Sequence, residues 1–435
     1  MKIIAVAAGM LKPKKNEQEY SSLYLNYGLL GLATNLNSKG YEVEMFQGDY
    51  KTIPSIIQEI TEKKLTRAIV LLSVPSFLSV DWAIAFAKEI RKYAVKILVG
   101  GRWVFDTNFE WAKKKFGDLA DGFSLGCPDD CVELLADPKK WKLLEEPKKY
   151  STVFSKLNYS LLNNFKTYQP SIEVSRGCGM GCSFCLERAY KNCGLKSPQS
   201  IFEEIEHTAE IYGDSNLNYY FESSIFLPSK KWANEFAKIY KKTGSTFHWR
   251  CTTRVDTVNS EALSVLAEAG LKVVDFGLES ASPSQLISMQ KTKKPDEYLK
   301  KAESVIFECA AKNVWCKLNI LLYAGETLST FNETKRWLLD RKAYIKGIST
   351  NTLTIYLNGD MGKYLESIEN ITKRKINRKE LYQRGFTYPD LSTEIDKDKS
   401  LELCNELNSL LMTAKDYNDL KEICYSAINV ENKNA

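Results

Sequence analysis

The stretch "RAIVLLSV", residues 67–74, is apolar at every position from Ala68 to Leu72 and is bounded by charge on one side and by Ser73 and Pro75 on the other. A short continuous apolar run of this kind reads as a strand buried on both faces, which is the condition of a strand in a parallel sheet covered by helices. Its neighbours agree. "KIIAVAA" (2–8), "YEVEMF" (41–46) and "VKILVGG" (95–101) are further strand patterns. Between them, "YLNYGLLGLATNLNSKG" (24–40), "IPSIIQEITEKK" (53–64) and "VDWAIAFAKEIRKY" (80–93) carry apolar residues at helical spacing, the first ending in the helix stop Gly40. Strand and helix in alternation predict an α/β class with a doubly wound parallel sheet over residues 1–135.

Residues 136–164 are polar and irregular, with "DPKKWKLLEEPKKYSTVF" at 137–154, and read as a linker lying along the surface. Alternation resumes with "PSIEVS" (170–175). Strand patterns follow at 216–222, 246–252, 272–280, 314–323 and 347–357, with helical segments between them. One of these, "SPQSIFEEIEHTAEIYG", opens with a cap-like Ser197 and Pro198 in its first turn. Six βα units in a row predict an open barrel short of the full eight, over 165–358. Residues 359–435 are charged and read as a C-terminal helical region.

Bulk properties narrow the chemistry. The chain has 435 residues and 44% hydrophobic content, enough to bury a core in two or three domains. No apolar run is long enough to span a bilayer, and no cleavage site follows the first apolar stretch, so a cytoplasmic protein without a membrane partner is expected. A net charge of +6 is too mild to argue for nucleic acid. Only two histidines, His207 and His248, are present, which excludes chemistry that needs several imidazoles. Eleven unevenly spaced cysteines in such a chain argue for metal or redox chemistry over a disulfide framework.

Three of those cysteines fall within eight residues of "SRGCGMGCSFCLER", as Cys178, Cys182 and Cys185. They follow a strand and precede a helix, at the carboxyl end of a strand where α/β folds place active sites. Thiolates suit zinc or iron–sulfur clusters. A structural zinc site needs four ligands, and no fourth cysteine or histidine stands at a zinc-like spacing; Cys193 is eight residues on, without a pairing partner. Electron-transfer clusters also take four cysteines. With three, one iron of a 4Fe-4S cluster keeps an open position.

The spacing Cys-x-x-x-Cys-x-x-Cys resembles the signature of the radical S-adenosylmethionine (SAM) superfamily. The resemblance implies a partial (β/α)6 radical SAM barrel, with a 4Fe-4S cluster whose open iron chelates the amino and carboxylate groups of S-adenosylmethionine and, on reduction, releases a 5′-deoxyadenosyl radical. It places Phe184 near the adenine, Glu222 or Ser223 toward the methionyl amine, and Arg254 on the methionyl carboxylate. Glu279 and Ser280 would face the ribose or carboxylate, and Gly325 and Glu326 the adenine pocket. The chain departs from the family pattern after its fifth strand, where Gly-x-Pro-Gly-Glu-Thr is replaced by "LYAGET" (322–327), and after its sixth, where "LNGDMG" (357–362) stands.

A doubly wound domain ahead of such a barrel resembles the cobalamin-binding branch of the superfamily, with a Rossmann domain at the N-terminus. Ligand in that fold lies across the carboxyl ends of the strands. There Ser73, Ser76, Gly100, Gly101 and Gly126 would hold a cobalamin nucleotide tail. No histidine occurs in residues 1–150, so none from there can ligate cobalt. "LGCPDDC" (125–131) replaces the Gly-Glu-Gly-Glu of the branch, and bulky Arg102 and Trp103 follow the paired glycines.

The expected function is therefore a radical SAM enzyme and, with cobalamin, a C-methyltransferase acting on a small-molecule or peptide substrate. The substrate radical would take its methyl group from methylcobalamin. An external electron donor such as flavodoxin or ferredoxin would start the reaction. Without cobalamin, the same radical could lose water, lose hydrogen, rearrange or form a crosslink. A cobalamin or redox sensor is the reading from another class, against which the strand-end residues for S-adenosylmethionine argue. Among the rest, Cys127 and Cys131 could be a redox pair or two small buried thiols. Cys251 or Cys316 could face the barrel cavity or pack in the core. His248 could line the cavity, and His207 reads as a surface residue. The basic run at 373–384 reads as a solvated helix face. Substrate specificity is expected from the last 75 or so residues.

Overall fold

The structure, a computed structural model, describes residues 2–11, 25–49, 51–63, 68–101, 108–126, 128–146, 156–358 and 361–424. Arg102, Trp103 and Cys127 lie outside the described residues. The chain forms two compact units. One holds residues 1–168 with two returning segments, 356–361 and 380–386; the other holds 169–355, 362–379 and 387–435.

In the first unit, β1 (Lys2–Ala7), α1 (Tyr27–Ser38), β2 (Glu42–Gln47), α2 (Ile53–Glu62), β3 (Ile69–Ser73), α3 (Val80–Ile90), β4 (Lys96–Gly100), α4 (Phe109–Phe116) and β5 (Gly122–Phe123) alternate. The strands pair in parallel in the order β2-β1-β3-β4-β5. Ile69 to Leu72 are buried, as their unbroken apolar run requires. The order reverses between β1 and β3, and the crevice at the carboxyl ends of those strands is where a ligand of such a sheet sits.

Residues 136–146 are largely exposed but not irregular. They coil into short 3-10 turns (129–136 and 138–145) that bury Trp141 and Leu144. The Trp141 indole N–H donates to Leu135 O at 3.1 Å, and the ring lies against Gly122, where a Cβ would come within 2.9 Å of it. A lone Trp among lysines gives no periodicity from which this could be read.

The second unit contains β6 (Ser171–Glu173), α5 (Pro198–Tyr212), β7 (Tyr219–Glu222), α6 (Lys230–Lys242), β8 (Trp249–Arg254), α7 (Ser260–Ala267), β9 (Leu271–Glu279), α8 (Pro283–Ser288), α9 (Pro295–Ala311), β10 (Trp315–Leu322), α10 (Leu328–Leu339) and β11 (Gly347–Thr352). Beyond these come β12 (Ile355–Tyr356), α11 (Met361–Thr372), α12 (Arg378–Arg384), β13 (Phe386–Thr387), α13 (Lys397–Leu411) and α14 (Ala414–Cys424). Strands β6 to β11 form one parallel sheet in strict sequence order, the signature of six successive βα units.

The two faces of this sheet differ, because strand side chains alternate. Phe221, Trp249, Cys251, Phe276, Leu278, Cys316 and Leu318 are buried on the helix-facing side. Trp249 stacks on Phe221 (centroids 4.5 Å apart, 17° between planes) and meets Phe236 of α6 edge-on at 5.5 Å. Cys251 and Cys316 belong to this face, and both thiols feel Cys309 of α9. They are core residues and do not line the cavity.

The alternate positions carry Tyr220, Arg250, Thr252, Arg254, Asp275, Lys317 and Asn319, with apolar Val273 and Trp315 toward the amino end. His248 is exposed one residue before β8 begins, so it lines nothing. In the C-terminal region, α13 covers the β11 edge, where Thr350 N donates to Asn408 Oδ1 at 3.0 Å. Leu420 of α14 packs on Val273 near the amino end of β9, at the opposite end of the sheet from the cysteine loop. At the carboxyl end, Leu391 O accepts from Gly325 N, and Ile371 of α11 lies against Gly325.

Candidate active site

The cysteine loop leaves β6 and is laced to its own return. Cys178 N donates to Tyr190 O (2.9 Å), Cys193 N to Arg176 O (3.0 Å) and Lys196 N to Val174 O (2.9 Å). Asn192 Nδ2 donates to Ser175 Oγ (3.1 Å) and Gly177 O (3.0 Å). Gly177 has φ +73°, and a Cβ there would lie 2.2 Å from Lys191 O, so only glycine lets the two strands of the loop meet. At the base, Arg176 forks onto Glu173 (Nε to Oε1 2.5 Å, Nη2 to Oε2 3.0 Å). Farther along, Ser183 N donates to Met289 O (2.9 Å), and Ser183 Oγ to the Tyr323 hydroxyl (3.0 Å).

This lacing gathers three thiols. Cys182 is buried, while Cys178 and Cys185 are half-buried. Burial pushes the Cys185 thiol up to about 11; Cys182, Cys178 and the Glu279 carboxylate push the same way, and Lys291 opposes them. A positive centre bound among the three would reverse that shift. Among the described residues, no three of His, Cys, Asp and Glu converge closely enough for a single metal ion. Cys193 stays outside the group: it is exposed, and its sulfur accepts from Arg176 N at 3.2 Å.

The strand ends of the same sheet supply the surroundings. Arg254, the last residue of β8, forks onto Asp256 (Nε to Oδ1 2.9 Å, Nη2 to Oδ2 2.8 Å). Its Nη2 also donates to Lys291 O (2.7 Å), and its Nη1 to Cys182 Sγ (3.1 Å). At the end of β9 the register slips by one against β10, and Glu279 takes a left-handed φ of +68°. The Tyr298 hydroxyl spans the kink, lying 3.0 Å from Gly277 O and 3.1 Å from Leu278 O. So held, the Glu279 carboxylate pairs with Lys291 Nζ (3.0 Å). Both groups lie over Gly277, where a Cβ would sit 2.7 Å from Glu279 Oε1.

The remaining strand-end residues divide. Glu222 accepts from Ser171 Oγ at 3.1 Å, and the buried Ser223 Oγ has no partner. Ser280 is buried in a turn, against Thr334 Oγ1 (3.0 Å) and Ser282 N (3.0 Å). Gly325 (φ +82°) donates its N–H to Leu391 O, and Glu326 is enclosed with Thr330 Oγ1 donating to it at 2.6 Å. The Phe184 ring stands edge-on to Tyr323, centroids 6.2 Å apart.

Sequence reasoning missed Lys291, Asp256 and Gln285. Gln285 is buried with its Oε1 unpartnered, beside the space a Gly325 side chain would fill. The only sequence signal for Lys291 was a lysine after the short helix α8; for Asp256, a carboxylate two residues past Arg254.

In the first unit, Asn26 at the start of α1 reaches Ser73 Oγ at 3.3 Å. Ser76 Oγ lies 3.3 Å from Ser79 Oγ. Gly101 (φ +115°) abuts the Val74 backbone, where a Cβ would lie 2.5 Å from Val74 O. Gly126 also has positive φ, +77°. Gly100 faces Ser124, whose Cβ would lie 3.4 Å from an added one. The Ser124 Oγ is buried and unpartnered at the carboxyl edge of the sheet. A buried hydroxyl left unsatisfied costs about 1–3 kcal/mol, so a ligand's polar group is its natural complement.

A six-strand parallel sheet with a three-thiol loop after its first strand defines a class, and the comparisons agree with it. Residues 172–338 match the family model described as the Radical SAM superfamily. The chain as a whole shares its two-part fold with cobalamin-dependent members of that superfamily. It matches TsrM from Kitasatospora setae, a radical S-adenosylmethionine methyltransferase solved with cobalamin and a [4Fe-4S] cluster. The TM-score is 0.65 at 16% identity, over 86% of this chain and 76% of that one. It matches OxsB, a cobalamin-dependent S-adenosylmethionine radical enzyme, with a TM-score of 0.62 at 16% identity, over 93% of this chain and 61% of that one. An uncharacterized methyltransferase of Pyrococcus horikoshii, PH0819, is 31% identical over 114 residues, which is 26% of this chain and about a quarter (24%) of the relative's length. Among the described residues no helix is long and apolar enough to cross a membrane.

Proposed function

We propose that the protein is a radical SAM enzyme that transfers a methyl group to carbon with the help of cobalamin. The observation that carries the reading is the gathering of Cys178, Cys182 and Cys185 in one laced loop beside Arg254, Glu279 and Lys291. Three thiols without a fourth fit a 4Fe-4S cluster with one iron left for S-adenosylmethionine. Bound there, the cluster would supply the electron that splits the sulfonium, and cobalamin held in the first unit would supply the methyl group.

The chain's own residues position these groups. Lys291 is the buried cation with protons to spare for the methionyl carboxylate, since among the described residues its ammonium donates to Glu279 alone. Ser223 Oγ and Glu222 stand at the end of β7 for the methionyl amine. Phe184, Tyr323 and the unpartnered Gln285 amide surround the space suited to adenine, one apolar and one polar contact for a flat heterocycle. In the first unit, Ser124 joins Ser73, Ser76, Gly100, Gly101 and Gly126 as the polar edge for a nucleotide tail. The polar sheet face, with Tyr220, Thr252 and Asn319, suits a polar small molecule or a peptide segment. Electrons come from an external carrier such as flavodoxin or ferredoxin.

Support for methylation comes from the shared fold with TsrM and from the P. horikoshii relative. The test is anaerobic incubation of the reconstituted protein with methyl-labelled S-adenosylmethionine, reductant and hydroxocobalamin. Cobalamin that stays with the protein through gel filtration, and label that reaches it, support the reading. A brown protein that cleaves S-adenosylmethionine but retains no cobalamin overturns the methyltransferase half.

A further inference from the structure

Arg254 stands where a ligand for the methionyl carboxylate would be sought, yet four of its five N–H donors are already engaged. A guanidinium has five N–H bonds. The Nε proton goes to Asp256, the two Nη2 protons go to Asp256 and Lys291 O, and one Nη1 proton goes to Cys182 Sγ. Arg254 is 8% exposed and Cys182 7%, so the N–H···S contact is shielded from water. The Asp256 fork and the Lys291 carbonyl fix the guanidinium from two sides, leaving no freedom to swing toward a substrate. Among the described residues, neither Cys178 nor Cys185 has a side-chain donor on its sulfur. The loop therefore holds three thiols of which one is singled out.

Resting on the cluster reading above, we propose that Arg254 is a positioning residue for the cluster's electronics: it donates a buried, charge-assisted hydrogen bond to the Cys182 thiolate and thereby raises the cluster's reduction potential. Reduction adds negative charge to the cluster and its thiolates. A fixed cationic donor on one sulfur stabilises the reduced form more than the oxidised form. Hydrogen bonds to ligand sulfurs are among the recognised levers on such potentials. The electron itself comes from the external carrier; Arg254 gains and loses nothing. The carboxylate of S-adenosylmethionine is then left to Lys291.

The experiment is an EPR-monitored redox titration of anaerobically reconstituted protein without S-adenosylmethionine, comparing the wild type with Arg254→Gln and Arg254→Met at matched iron and sulfide content. The glutamine keeps an N–H donor without the charge; methionine removes both. The midpoint is expected to fall in Arg254→Gln and further in Arg254→Met, with Fe–S(Cys) stretching bands shifted in the resonance Raman spectrum. If Arg254→Met does not load, Arg254→Gln alone decides. An unmoved midpoint in a loaded variant overturns the proposal, as does a loss of S-adenosylmethionine affinity with the potential intact. A wild-type protein that takes up no iron–sulfur cluster fails the underlying reading instead, which separates the two.

Discussion

Replacing Asp275 with Asn should be the most damaging single change on the polar face of the sheet. Asp275 is 4% exposed and carries two cations: Lys317 Nζ at 2.7 Å and Arg250 Nη1 at 3.3 Å. The Arg250 guanidinium in turn lies over the Tyr220 ring, 3.9 Å from its centre. Asn cannot neutralise either cation, so both buried charges lose this carboxylate. Removing one member of a buried ion pair costs about 3–5 kcal/mol. At about 2–4 °C per kcal/mol for a domain of this size, the melting temperature should drop on the order of 10 °C. Burial opposes ionisation of Asp275, but the Lys317 and Arg250 charges prevail and hold its carboxyl below the ordinary range. Its stabilisation is thus fully present above the unfolded value of about 3.9 and is lost only as pH falls through the lower folded value. The wild-type advantage, read by circular dichroism melts, should be constant from pH 6 to 8 and shrink only in stronger acid. Replacing all three residues together with apolar ones of similar volume should recover most of the loss. An Asp275→Asn protein that melts within a degree or two of wild type at pH 7 would refute the buried triad.

Three further outcomes are expected. Gly177→Ala should keep the fold but lose most of its iron on reconstitution, because the added methyl meets the Lys191 carbonyl; full iron content would contradict the loop geometry. Burial pushes the Glu326 carboxyl up to about 7, so the charged form weighs against the fold as pH rises from about 4.5 to 7. Glu326→Gln should therefore melt higher than wild type at pH 8 and no higher at pH 4.5; the reverse dependence would contradict that burial. Trp249→Ala, in the middle of the Phe221, Phe226 and Phe236 cluster, should cost about 3–5 kcal/mol in urea unfolding.

How much of this was legible in the chain follows from the range of the forces involved. Ile69–Leu72 announce a strand because burial on both faces leaves no polar position in the run. Cys178, Cys182 and Cys185 stand out as a candidate ligand set because the whole motif is local. Arg254, Glu279 and Gly325 were found at strand ends, since the strands themselves were readable. What each one touches was not. The bond from Arg254 to Cys182 spans 72 residues, and it depends on Asp256 and the Lys291 carbonyl meeting in space. The Glu279–Lys291 pair needs a register slip that no propensity encodes. Trp141 looked solvated because lysines surround it in sequence, and Cys251 and Cys316 could be assigned to a face only once the strand parity was fixed by Arg250 and Lys317.

The vacant coordination position is tested most directly by the EPR spectrum of the reduced, anaerobically reconstituted protein before and after S-adenosylmethionine is added. The expected result is a [4Fe-4S] signal, absent in Cys182→Ala, whose shape changes when S-adenosylmethionine binds. A protein that contains zinc in place of iron, or a cluster signal indifferent to S-adenosylmethionine, would contradict the assignment of these three cysteines.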